Sequence, residues 1–141
     1  MNMKKTTAAL LTAAAVAVSL SASAEAAGDP VTQWTTVGDD YGYAWGYVTW
    51  HNRTVSLTGY VTDKGAGWTV ARFRAYANGK QIGPDVTRYT DDASTNPDLK
   101  SPRDFQFLMG DTNLPGGVDK VGISICHTET SCSYSTSVTR P

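Results

Sequence analysis

The chain is poor in the residue types from which most catalytic and metal centres are built. Its 141 residues include two histidines and two cysteines. There is no Cys-x-x-Cys pair, no Gly-x-Ser-x-Gly elbow and no segment dense in Lys and Arg. Histidine is the residue type that titrates near neutral pH, so His51 and His127 are the candidates for general-base work. Without the elbow, any Ser-His-acid constellation would have to arise from geometry, since chain order does not define one. Asp39 and Asp40 are adjacent and would point apart in a strand, which argues against a carboxylate pair. No enzyme signature, cofactor loop or metal motif emerges from these gaps.

Long hydrophobic runs are also missing, with one exception. Lys4 and Lys5 precede an uncharged apolar run, Ala8 to Leu20, and small residues follow it. Ala22-Ser23-Ala24 and Ala24-Glu25-Ala26 both fit the small-x-small rule for signal cleavage. A run of 13 residues is short against the ~20 needed to span a bilayer. The expectation is a cleaved signal peptide at 1–26 and a secreted domain at 27–141. Removing Lys4, Lys5 and Glu25 reduces 12 basic and 13 acidic side chains to 10 and 12. A net charge near balance excludes nucleic acid or an anionic membrane as the main partner.

Cys126 and Cys132 both lie in the predicted mature chain. An even count in an exported protein reads as a disulfide, here the single possible one within the chain. Closing so short a loop stabilises by about 2 kcal/mol in the chain-entropy description. The segment it closes, His127 to Ser131, includes His127 and Glu129 and is a candidate interaction loop. Pre-ordering such a loop lowers the entropic cost of binding a partner.

What the domain does contain is strand and turn. Tyr43 to Trp50 is a candidate strand, followed by Arg53 to Thr62 with Val55, Leu57 and Val61 on one face and Ser56, Thr58 and Tyr60 on the other. His51-Asn52 is the expected tight connection, since Asn tolerates the left-handed conformation of many hairpin turns. Trp68 to Ala77 alternates Ala71, Phe73, Ala75 and Ala77, the expected core face, against Val70, Arg72, Arg74 and Tyr76. Asn78-Gly79 is a type I′ hairpin signal leading into Lys80 to Tyr89, where Pro84 demands an edge or an interruption. Phe105, Phe107 and Met109 mark the next strand, Val121 to Cys126 another, and Cys132 to Thr139 the last.

About seven short strands predict an all-β fold, a single antiparallel β-sandwich or small barrel. One conflict stands. If Cys126 faces Cys132, then Val121, Ile123 and Ile125 lie opposite Ser133, Ser135 and Ser137, which requires a bulge or a sheet edge.

The densest chemical feature is Tyr41-Gly-Tyr43-Ala-Trp45-Gly-Tyr47. A strand puts Tyr41, Tyr43, Trp45 and Tyr47 on one face and the small residues on the other. Pointing outward, and roughly coplanar, the rings would form a ligand-stacking surface of the kind that suits polysaccharide. Pointing inward, they would be core, with the glycines admitting a second layer, which is the commoner use of strand aromatics. Three phenols, each needing a partner if buried, weigh the other way. Asp92, Ser94, Asn96 and Asp98 alternate like calcium ligands but lack the turning glycine and closing glutamate, so this segment reads as a solvated loop.

The Ala-rich leader followed by a Gly-, Thr- and Tyr-rich β domain resembles the small secreted proteins of actinomycete bacteria. The resemblance implies an extracellular protein and assigns no residue roles. The expected function is a secreted binding module, with polysaccharide on the aromatic row. The alternative is a secreted protein-interaction factor, such as a protease inhibitor or competitor-directed factor, acting through its disulfide-closed loop.

Overall fold

Alternation in each strand decides which side is buried, and the two sheets close over the apolar sides. The computed structural model describes residues 28–35, 42–64, 68–90, 103–127 and 131–141. The expected signal peptide and the segment 91–98 lie outside them. Every regular element among the described residues is a strand: β1 (Val31–Thr35), β2 (Gly42–Trp50), β3 (Thr54–Asp63), β4 (Val70–Ala77), β5 (Lys80–Tyr89), β6 (Arg103–Gly110), β7 (Lys120–Cys126) and β8 (Cys132–Thr139). They form two four-stranded antiparallel sheets, ordered β1-β2-β3-β6 and β5-β4-β7-β8. The fold is a β-sandwich, one of the two architectures expected.

The eighth strand, β1, escapes the periodicity argument because Val31 and Trp34 have opposite parity. Val31 faces out at 57% exposure, while Trp34 is buried. Trp34 then becomes a centrepiece of the core, lying edge-on to Phe73 at 5.8 Å and nearly parallel to Phe105 at 6.3 Å. Val55, Leu57 and Val61 of β3, Phe73 of β4 and Val121, Ile123 and Ile125 of β7 complete the interior. Each such side chain contributes roughly 1.5–3 kcal/mol by leaving water.

The turns follow their chemistry, with one exception. Asn78 and Gly79 take φ of 51° and 76°, as a type I′ turn needs. Asn52 does not: among the described residues Asn78 alone adopts a left-handed φ without being glycine. The β2–β3 connection instead uses residues 51–53, closed by His51 N–H donating to Thr54 O at 3.0 Å. Pro84 lies in a strand that is both at an edge and interrupted. Phe73 pairs with Val86 but Ala75 with Ile82, so Arg74 alone faces Gly83, Pro84 and Asp85.

The conflict at the last hairpin resolves in the same way. Cys126 pairs with Cys132, and a register shift follows between Ile125 and Cys126. Ser133 is skipped, so Val138 and Thr136 come opposite Val121 and Ile123 in place of serines. Edge position and bulge together keep this hairpin's buried side from being half polar.

Candidate functional site

At Gly42 and Gly46 the inner side of β2 has no room for rings. Gly46 pairs with Gly59 of β3, and a Cβ on Gly46 would lie 2.1 Å from Thr58 O and 2.9 Å from the Trp34 ring. That space is filled by Trp34 from β1, while the Phe105 ring of β6 lies 3.1 Å from where a Cβ on Gly59 would be. Gly42, Ala44, Gly46, Val48 and Trp50 therefore face inward, and Tyr43, Trp45 and Tyr47 face out. The inward arrangement, favoured by the frequency of buried strand aromatics, is not the one adopted. Tyr41 lies outside the described residues.

Pairing with β3 adds a fourth ring. Trp45 is opposite Tyr60 and Tyr47 opposite Thr58. The rings touch one another: Trp45 and Tyr47 at 4.9 Å, Trp45 and Tyr60 at 5.7 Å, Tyr43 and Tyr60 at 6.1 Å. Their planes meet at 74°, 36° and 78° respectively, so the expected coplanar row is replaced by a compact tilted cluster. Edge-to-face contact is the geometry that ring quadrupoles favour, which accounts for the tilt. Lys64 Nζ sits 4.9 Å over the Tyr43 ring and closes one end.

A polar rim surrounds the rings. Register places Gln33 beside Tyr47 and Thr35 beside Trp45 on the β1 side, with Gln106 beside Thr58 and Asp104 beside Tyr60 on the β6 side. Desolvation among the rings, then the charge and hydrogen bond of Tyr43, raise the Tyr60 phenol above its ordinary pKa. The hydrogen bond of this phenol is made within the cluster, with Tyr43. Stackable ring faces bordered by amides, hydroxyls and a carboxylate can cover the apolar face of a ligand and bond its polar edge. Sequence reading missed Tyr60 as a site residue, although its place in the outward set of β3 was legible. The across-strand register that brings it to Trp45 was not.

The second predicted site is partly in view. Cys126 and Cys132 form the expected disulfide. Within the loop it closes, His127 is half-buried and its N–H donates to Ser131 O at 2.9 Å. Glu129 lies outside the described residues. Among the described residues no three His, Cys, Asp or Glu side chains gather as a metal site would need. A groove of about 450 Å³ between β5 and β6, lined by Ile82, Pro84, Val86 and Leu108 among others, lies apart from the rings.

The chain matches no protein-family model, no curated protein and no solved structure.

Proposed function

We propose that the protein is a secreted binding module that holds a single carbohydrate chain against the outer face of its first sheet. The observation that carries this reading is the convergence of Tyr43, Trp45, Tyr47 and Tyr60 outside the core, within a rim of Gln33, Thr35, Asp104 and Gln106. These rings pack on each other on the outer side of the sheet, Tyr47 exposed and the other three half-buried; the core is complete without them. Their tilt favours a soluble chain that can turn between ring faces over a flat crystalline surface, which would need the rings in one plane. The leader sequence and the disulfide support export, since disulfides persist in oxidising compartments.

Incubating the mature protein with insoluble and soluble polysaccharides and measuring depletion tests the proposal. Retention by one glycan, reversed by its soluble oligomer and lost in Trp45→Ala, is expected. Equal retention of Trp45→Ala and wild type on every glycan would sink it. A second reading, a secreted protein-interaction factor, draws support from the joined ends of the 127–131 segment, tied by the disulfide and by the His127–Ser131 backbone bond. It predicts that a protease or other secreted partner binds the oxidised protein and releases the reduced, alkylated one.

A further inference from the structure

The far end of the same outer face holds three side chains that no sequence motif signals. Pairing of β1 with β2, with Val31 opposite Thr49, runs on past the strand end and brings Asp29 beside His51. Trp50 N–H donates to Pro30 O at 2.8 Å and fixes that alignment. The short connection into β3 then returns the chain so that Ser56 lies opposite Thr49. His51 Nδ1 is 2.5 Å from Asp29 Oδ2, and His51 Nε2 is 2.7 Å from Ser56 Oγ.

The order of atoms matters more than the proximity. An ionised carboxylate only accepts, so Asp29 holds the hydrogen on Nδ1 and leaves Nε2 as an acceptor. Nε2 is then placed to take the proton of the Ser56 hydroxyl, the arrangement by which a serine becomes a nucleophile. The site is open to reactants: the side chains of His51 and Asp29 are 34% and 52% exposed. Ser56 occupies a row running Val31, Thr49, Ser56, Leu108 across the four strands. Val31 and Leu108, at 57% and 59% exposure, put an aliphatic surface at each end of that row.

We propose that Ser56 is an acyl-accepting nucleophile, with His51 as its base and Asp29 as the residue that positions His51, acting on small carboxylic esters. Ser56 Oγ bonds to the ester carbonyl carbon while its proton passes to Nε2. The carbon–alkoxy bond breaks, and the departing alcohol takes that proton. Water then adds to the acyl carbon, giving its proton to Nε2. The bond to Oγ breaks, Ser56 is reprotonated, and a carboxylic acid leaves. Ester and water become acid and alcohol with no redox partner.

Both neighbours of β3 pair across Ser56, so its backbone is committed to the sheet. The hydroxyl of Thr49, opposite Ser56, is the donor that register brings nearest to a developing oxyanion. A site without a backbone oxyanion hole forgoes what is usually the largest electrostatic contribution, leaving the roughly 10²–10⁴-fold of general-base assistance. Slow turnover and ready covalent capture are the expected signatures. The nucleophile does not rest on the glycan reading. A ligand lying on Tyr47, in the adjoining row, would nevertheless present its ester groups toward Ser56.

The test is reaction of the mature protein with an alkyl fluorophosphonate, followed by intact mass and peptide mapping, alongside release of p-nitrophenol from p-nitrophenyl acetate. Expected are one adduct on Ser56, none in Ser56→Ala, and at least 10-fold slower labelling and hydrolysis in Asp29→Asn and His51→Gln with near-UV circular dichroism retained. Nitrogen-15 shifts of the His51 ring should report hydrogen on Nδ1 in wild type and its redistribution in Asp29→Asn. Arg74→Ala, on the other sheet, should label at the wild-type rate, and labelling measured with no glycan present separates this proposal from the binding reading. No Ser56 adduct in the folded wild type, or equal labelling of wild type and Asp29→Asn, overturns it and leaves these side chains as a pin holding β1 to the hairpin.

Discussion

The outer face of β2 and β3 carries Tyr43, Trp45, Tyr47 and Tyr60, whereas that of β4 and β7 carries Arg72, Arg74, Tyr76, Lys120 and Ser124. The same alternation builds both faces over one shared core. On the second, charged groups answer one another. Asp85, turned onto this face by the bulge at Pro84, accepts from Arg74 at 3.0 Å and Gln81 at 2.7 Å, with Arg72 at 3.6 Å. Lys120 lies 4.6 Å over the Tyr76 ring. A ligand arriving there would have to displace contacts already made. On the first face the rings lean on each other and Lys64 lies over Tyr43, but Trp45 and Tyr47 meet their neighbours through ring contacts, weaker to displace than the Arg–Asp pairs of the second face. Which face binds more readily is decided by how firmly its groups hold one another.

The largest expected contrast lies beneath the faces. Gly46→Ala drives a methyl group into Thr58 O and the Gly59 Cα, at 2.1 and 2.9 Å, and backbone cannot yield as a side chain does. We expect a loss of more than about 3 kcal/mol. Gly122→Ala on the second sheet meets the edge of the Tyr76 side chain, not backbone, at 3.2 Å and should stay within about 1 kcal/mol of wild type. Urea unfolding midpoints decide this. Similar losses for the two variants would mean that the first sheet tolerates a wider β2–β3 spacing than its rings and glycines imply.

Removing the disulfide as Cys126→Ser with Cys132→Ser comes next, at about 2 kcal/mol by the loop it closes. That loss belongs to the β7–β8 edge and should leave glycan retention intact. Altered retention would tie the binding face to the second sheet. Trp45→Ala is smaller in stability and larger in binding. One stacked ring contributes about 0.5–1.5 kcal/mol beyond its area, so affinity should fall about 10-fold while thermal stability changes little. Arg74→Ala should bind as wild type.

The smallest effect is Asp85→Asn. Burial opposes ionisation of Asp85 most strongly, but hydrogen bonds from Arg74 and Gln81 and the charges of both arginines outweigh it and hold the carboxyl below its ordinary value. A depressed folded pKa gives stability that is present above the unfolded value, about 3.9, and lost as pH falls through the folded one. The variant should be less stable than wild type at pH 7 by under about 1 kcal/mol, with the gap closing below about pH 4. A gap that persists at pH 2 would show that packing, not charge, holds the bulge.

Much of this fold was legible because period-two patterning is strong in β2, β3 and β4, and because Asn78-Gly79 and the cysteine pair are local signals. β1 was not, since five residues with one inward ring give no alternation. The bulges at Pro84 and Ser133 left traces in the sequence, a proline within a strand and a serine run opposite an apolar one, and both proved to mark edges. For the site, alternation grouped Tyr43, Trp45 and Tyr47 but could not say which way they face. That was decided by Trp34, which lies 39 positions from Phe73 in the chain and packs with it only in the fold. Asp29, His51 and Ser56 were hidden for the same reason: strand register, not spacing, brings them together.

Tryptophan fluorescence during titration with soluble oligosaccharides tests the binding face most directly. Trp34 and Trp50 are buried, so a response must come from Trp45 or from Trp68, which is 45% exposed. In a Trp68→Phe background, one glycan series should produce a saturable change that grows with chain length and disappears in Trp45→Ala with the fold retained. A saturable change that survives Trp45→Ala, or none with any glycan, would contradict the account and return the rings to a structural role.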